Sequence, residues 1–434
     1  MGRAVRWWRL SSAGAVVSAL LVGGLLARTG ARPEAPPAGP APAPGCASSV
    51  PYVAGVGGYA AYRIPAVVRT RAGALLAFAE GRRDGTGDSG AVDIVVRRSA
   101  DGGCGWDPVR VVAAGRGDTR GNPAPVVDPS TGDVVLVSSY NDGAVTEAQI
   151  LAGRAGPDRG RRVFVQRSRD DGRSFTAPRE ITSAVTRPGW RWYATGPGHA
   201  LALTRGARAG RLLVPANHSV APPAGSPDTG REPRYYGAHA LYSDDGGRSW
   251  SVGYVDDDHD GFVNANESST VQLDDGRLYF TARDQHGTSP GNRAAAVSSD
   301  GGASLDRPYA PQPALAAMPV VQGSVLHLGH RRGDDAGSRG DVLLFSGPSV
   351  PDVRARMAIW RSTDGGRSAT RVLTLSPRPA AYSDLVRADA ETVGLLYETG
   401  TRHPYESIAF RRVPLDVVTQ EVPRKGATPE NVHR

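Results

Sequence analysis

The chain has 434 residues, with 55 Gly, 34 Pro and two Cys, and a formal net charge of +8. That length supports a sizeable core, the Gly and Pro ask for many loops, and no amphipathic helix of any length stands out. The charge does not argue for nucleic acid: residues 1–45 hold five Arg and one Glu, half of the excess, and the other basic residues are scattered rather than gathered in a stripe.

The amino terminus comes first. Arg3, Arg6 and Arg9 precede an apolar run over 13–27, the pattern of a secretory signal, read here as residues 1–31. Cleavage near Thr29-Gly30-Ala31 fits best, and an uncleaved anchor is the alternative. Residues 32–45 alternate Pro and Ala, a linker composition. No other stretch is suited to span a membrane, so a secreted, extracellular protein is expected. Cys46 opens the globular part and Cys104 lies 58 residues on. In an oxidising compartment they could pair; two free thiols is the other reading.

Short apolar runs follow, separated by turns. Runs at 62–69, 74–79, 93–98 and 109–113 are strand-sized and rich in β-branched residues. Between the third and fourth sits the octet 99–106, SADGGCGW. Its relatives are SRDDGRSF at 168–175, SDDGGRSW at 243–250, SSDGGASL at 298–305 and STDGGRSA at 362–369. A single such octet would be an ordinary turn; five at intervals of 55–75 residues mark a repeated unit. Four strands per unit with a tight Asp-Gly hairpin describe a propeller blade. The runs 383–386, 393–397 and 407–413 supply a last unit of only three strands, which a strand near 52–56 could complete. The expectation is all-β: a six-bladed β-propeller of four-stranded antiparallel blades over 46–415, then a polar tail over 416–434.

Tyr62-Arg63-Ile64-Pro65 at the head of the first unit, together with the repeated octets, resembles the bacterial secreted sialidase (exo-α-neuraminidase) family with its Asp-box, or BNR, repeats. The likeness also runs through Phe78-Ala79-Glu80-Gly81-Arg82, Asn122-Pro123-Ala124-Pro125, Thr195-Gly196-Pro197-Gly198-His199, Asn266-Glu267-Ser268, Ala381-Tyr382-Ser383-Asp384-Leu385 and Leu396-Tyr397-Glu398, in the family's order. It covers nearly everything from Cys46 to Val413.

The resemblance implies a set of roles, each with a chemical reason. A sialic acid carries a carboxylate on its anomeric carbon, and forked Arg donors match a carboxylate. Arg63, Arg283 and Arg354 fit the family's three, with Arg356, two residues on, as a rival for the third. The substrate's own charge disfavours a carboxylate nucleophile, by about 4 kcal/mol at 4 Å and an effective dielectric of 20. A Tyr nucleophile avoids that repulsion, and sialidases are the known case. Tyr382 fits the nucleophile and Glu267 its base. Asp88 fits the acid, with Asp84 as fallback. Arg82 matches a substrate-contacting position, Glu398 the carboxylate that orients the first Arg, and Glu80 a supporting group. Asn141 and Asp142 read as an ordinary turn, with a contact to the sugar's side chain as the other reading.

Rival signals are weaker. Residues 256–267 match the calcium-loop pattern, but their flanks read as strands and the pattern claims Glu267. A calcium on Asp256, Asp258 and Asp260 alone competes with a solvated acidic loop. His327-Leu328-Gly329-His330 has ligand-like spacing without a carboxylate or Cys at a useful interval, so it reads as surface or turn. The resulting expectation is a monomeric exo-α-sialidase acting on terminal sialic acids of glycoproteins, glycolipids or oligosaccharides, with retention and without metal or cofactor. A non-catalytic sialic-acid-binding propeller and a trans-sialidase variant are the alternatives.

Overall fold

A computed structural model describes residues 46–329 and 341–420. The expected leader, 1–31, and linker, 32–45, lie outside these residues.

The strands form where the apolar runs fall. The first unit consists of Ala61–Arg69, Leu75–Arg82, Val92–Ser99 and Arg110–Ala113. Among the described residues helices are confined to three short segments, Glu147–Leu151, Thr182–Val185 and Leu415–Thr419, besides two single 3-10 turns. No described helix is long and apolar enough to cross a membrane.

The expectation of six four-stranded blades is corrected by the hydrogen bonding. Among the described residues the strands make five sheets in a propeller-like arrangement: three of four strands, one of five and one of eight. The first two units are one eight-stranded sheet, joined where Val92 pairs in parallel with Thr119. Val92 N donates to Asp118 O at 3.1 Å there. The five-stranded sheet gains the two-residue strand Leu201–Ala202 on Leu212–Val220. A one-residue parallel contact and a two-residue strand leave no periodic trace in a sequence.

The last unit is completed from the start of the chain. Ser48–Val53 pairs antiparallel with Ser407–Pro414, so the sheet of the final three strands takes its fourth from the amino-terminal end. A Cys46–Cys104 disulfide, with Cα atoms 5.8 Å apart, ties that entering strand to the first octet. The stretch read as a tail from Asp416 begins instead as helix Leu415–Thr419, whose Val418 is fully buried; residues 421–434 lie outside the described part.

Each octet is a hairpin held by its own side chains. In 243–250, Asp245 accepts from Ser243 Oγ (2.8 Å), Arg248 N (2.9 Å), Ser249 N (2.9 Å) and Ser249 Oγ (2.6 Å). Gly247 N donates back to Ser243 Oγ at 2.7 Å. The second Gly must be Gly: Gly103 has φ +94° and an added Cβ would sit 2.1 Å from the Phe410 ring. The aromatic that ends the octet fills the seam between neighbours, as Trp106 does edge-on against Phe410 at 5.5 Å.

These hairpins have a pH signature. Burial raises the Asp245 carboxyl, but the Ser249 and Ser243 hydroxyls and the backbone donors outweigh it and lower it to about 2. A depressed carboxyl stabilises fully above its unfolded value of about 4, and the contribution is lost as pH falls through the folded value. We expect Asp245→Ala to cost about 1–2 kcal/mol, as loss of a helix cap does. The Tm should fall by roughly 2–4 °C at pH 7. The gap between variant and wild type should close toward pH 2; an unchanged gap there in thermal melts would refute the assignment.

Candidate active site

One end of the fold is built from irregular strands. Five strands lose register at this end: Ala61–Arg69, Thr119–Val127, Trp190–Thr195, Ala265–Gln272 and Ala380–Arg387. Inside the slips lie Ile64, Asn122, Trp192, Asn266 with Glu267, and Tyr382. All six side chains line one cavity of about 250 Å³. A bulge adds a residue to one strand and re-aims the side chains beside it. The repeated bulge therefore turns what would be sheet residues into the walls of a common pocket.

Two of the slips hold residues in the left-handed region, Ile64 at φ 58° and Asn122 at φ 53°. For a β-branched Ile this is a strained conformation. A buried carboxylate holds each. Glu398 Oε1 accepts Ile64 N at 2.9 Å and Arg63 Nε at 2.8 Å, and its Oε2 accepts Tyr382 N at 3.1 Å. Glu80 Oε1 accepts Asn122 N at 2.7 Å, and its Oε2 accepts Arg82 Nη2 at 2.6 Å. Glu80 thus orients one Arg and one bulge, and Glu398 one Arg and two bulges. Glu398 is fully buried behind the cavity; Glu80 lines it.

The cavity gathers Arg63, Glu80, Arg82, Asp88, Glu267, Arg283, Arg354 and Tyr382. Tyr382 Oη donates to Glu267 Oε1 at 2.6 Å. Arg283 Nη1 donates to Glu267 Oε2 at 3.0 Å and to Tyr382 Oη at 3.3 Å. Arg63 lies 5.1 Å and Arg354 5.7 Å from the Tyr382 ring centre. Arg354 donates to Tyr405 Oη at 2.8 Å and to Val320 O at 3.1 Å. Arg356 does not line the cavity. Three guanidinium groups from three sheets thus converge around one phenol.

The electrostatics follow from that crowding. Burial raises the Tyr382 phenol well above its ordinary value, and Glu267 adds to the rise against the opposing Arg283, Arg63 and Arg354. Tyr382 is therefore neutral. Asp88 stands at the rim, its side chain 57% exposed, with Oδ1 2.8 Å from Arg82 Nη2 and 4.0 Å from Arg63 Nη1. Burial against the wall raises it, but Arg82 and then Arg63 lower it further, so the carboxyl lies below its ordinary value. Asp84 does not line the cavity.

Several lining residues were not foreseen. Tyr405 stacks under Arg63, with the guanidinium 3.8 Å from its ring centre. Arg161 lies 3.6 Å over Trp192 and donates to Asn122 Oδ1 at 3.2 Å; burial lowers it to about 10 against the pull of Glu147 and Glu80. Tyr236 Oη donates to Glu147 Oε1 at 2.6 Å. A helix signal at Thr146-x-x-Gln149, a capping box, was available for Glu147. Arg161, Trp192, Tyr236 and Tyr405 carry no local motif.

Other sequence candidates fall elsewhere. Asn141 donates to Asp142 O and Val145 O, and Asp142 pairs with Arg159 at 2.7 Å, an ordinary turn outside the cavity. The calcium-loop match runs from the end of strand Ser251–Val255 into strand Ala265–Gln272 and has no helix on either side. Asp258 and Asp260 cap their own loop, accepting from Asp260 N and Phe262 N.

Comparison with known proteins agrees on one family. The BNR repeat-like domain matches residues 73–396. A sialidase of Micromonospora viridifaciens is 33% identical over 355 residues, covering 79% of this chain and 50% of that protein. An exo-alpha-sialidase of Aspergillus fumigatus is 30% identical over 391 residues, covering 82% of this chain and 85% of that protein. Among solved structures, Hadza microbial sialidase Hz136 superposes with a TM-score of 0.72 at 26% identity, over 86% of this chain and 69% of that one. The chain thus spans half the length of the Micromonospora relative and most of the Aspergillus one.

Proposed function

The chain belongs to the sialidase family of glycoside hydrolases, and from that premise we propose that it is an exo-α-sialidase releasing terminal α-linked sialic acids with retention. The observation that carries this reading is the Tyr382–Glu267 hydrogen bond of 2.6 Å, set among Arg63, Arg283 and Arg354. In this reading the three Arg hold the sugar carboxylate. Tyr382 Oη forms a bond to the anomeric carbon while its proton passes to Glu267 Oε1. Asp88, protonated at the start, gives its proton to the departing glycosidic oxygen. Water then attacks the same carbon and yields a proton to Asp88. Tyr382 Oη leaves and recovers its proton from Glu267. Two inversions amount to retention.

Asp88 begins on the wrong side of this requirement, since Arg82 and Arg63 favour its carboxylate. Substrate binding corrects that: the sugar carboxylate engages Arg63 and weakens the cationic field, while the leaving group excludes water from Asp88. Both changes raise its pKa toward the working range. The alkaline limb of kcat is thus set in the complex, and kcat for an alkyl-linked sialoside should fall only as pH rises above the raised Asp88 value there.

The test is hydrolysis of a fluorescent α-sialoside beside a sialyl-lactose. Asp88→Ala is expected to cost about 10²–10⁴-fold on the sugar aglycone, and less on the phenolic one, which needs little proton help. Equal losses on both substrates would count against the acid role. A wild type that binds sialic acid and releases nothing would move the reading to a sugar-binding propeller. Export goes with the proposal, on the Arg-led apolar leader and the Cys46–Cys104 pair.

A further inference from the structure

At the far end of the strand that carries Glu267, a second cluster forms. Ala265–Gln272 runs from the cavity to a turn holding Asp274. Seven residues at about 3.3 Å each separate Glu267 from Asp274, roughly 23 Å along the strand. His327 ends the strand Ser324–His327, and Asp341 precedes Leu343–Val350 in the same sheet. No carboxylate lies at ligand spacing from His327 along the chain; the packing of two neighbouring sheets brings two.

His327 Nε2 lies 2.9 Å from Asp341 Oδ1 and 3.7 Å from Asp274 Oδ2. One ligand atom from each residue lies within 4.8 Å of the others. The His327 side chain is only 9% exposed, yet its Nε2 has no partner in hydrogen-bonding geometry. The carboxylates are oriented by a backbone bond within the cluster and by an Arg from outside it. Asp274 N donates to Asp341 Oδ1 at 2.7 Å, and Arg205 Nη2 contacts Asp274 Oδ1 at 2.8 Å. The Arg205 loop is itself anchored, because Gln272 Oε1 accepts Thr204 N at 2.8 Å and Arg205 N at 3.1 Å. Outer partners that fix the ligating groups are the usual setting of a metal centre.

We propose that Asp274, His327 and Asp341 bind a divalent cation of the zinc class. One imidazole and two carboxylates suit zinc, with water as fourth ligand, better than calcium, which prefers an all-oxygen shell. Ligand–ligand edges in a tetrahedral site with bonds near 2.0–2.1 Å are about 3.3 Å, so the two edges at His327, 2.9 and 3.7 Å, require shifts of only a few tenths of an ångström, and the carboxylate–carboxylate edge lies within 4.8 Å. The ion joins two adjacent sheets at the end remote from the cavity, so its effect is on stability and not on turnover.

The full chain, dialysed against EDTA, is titrated with zinc chloride by calorimetry and melted with and without the metal. One equivalent is expected to bind, with Tm rising by about 5 °C at a hundredfold excess over Kd. His327→Ala and Asp341→Asn should abolish both signals and leave sialoside hydrolysis unchanged. No heat and no shift in the wild type would overturn the proposal. So would a shift retained in His327→Ala, or a larger response to calcium than to zinc. Equal destabilisation of His327→Ala with and without zinc would make the cluster a plain ion pair, which also overturns it.

Discussion

Tyr382→Phe is expected to lower kcat on a fluorescent α-sialoside by about 10³-fold or more, with little change in KM or Tm. Phe keeps the ring among Ile64, Val321 and Ala381 and keeps the face toward Arg63. What it loses is the oxygen 2.6 Å from Glu267. Glu267→Gln should fall comparably, because a neutral amide cannot take the phenolic proton. The phenol's raised pKa makes that base indispensable, since at neutral pH almost none of it ionises unaided. The double variant should be little worse than either single one, as expected of groups that act as a unit. A wild-type adduct on Tyr382, trapped with a slow fluorinated substrate and located by mass spectrometry, should be absent from Tyr382→Phe. Activity within tenfold of wild type in that variant would remove Tyr382 from the chemistry.

What could be read from the sequence is what is local. The octets announce themselves because Ser, Asp and Gly hold one another within five residues, and the strands because β-branched runs alternate with turns. The closing strand was legible because the last unit was one strand short. The sheet count was not, since it turns on the single Val92–Thr119 contact. The bulges were invisible for another reason: a residue is added to one strand relative to its partner, and only pairing defines that. They nevertheless decide which side chains face the cavity. Motif residues such as Arg63 and Glu267 could be carried over position by position. Tyr405, Arg161 and Trp192 arrive from loops and bulges whose spatial neighbours lie far away in the chain.

Glu398→Ala is expected to have the largest effect on stability, about 3–5 kcal/mol, the cost of breaking a buried ion pair by removing one partner. Glu398 has no exposed surface and Arg63 has 5%, so the remaining guanidinium keeps little water to replace its carboxylate. Arg63 would retain the Tyr405 and Tyr382 ring faces and the 4.0 Å approach to Asp88. The loss reaches further than the charge. The Ile64 and Tyr382 amides both lose their acceptor, and the left-handed Ile64 loses the bond that holds it. Both the carboxylate clamp and the nucleophile's strand would loosen together. The variant should therefore show a Tm lower by several degrees, a raised KM and a reduced kcat. Glu398→Gln should recover part of the stability, because its amide oxygen can still accept from one backbone N–H, but it should recover less of KM, because Arg63 stays uncompensated. A variant with wild-type Tm and KM would mean that Arg63 is positioned by Tyr405 stacking alone. In that case Tyr405→Ala, and not Glu398→Ala, would be the substitution that releases it.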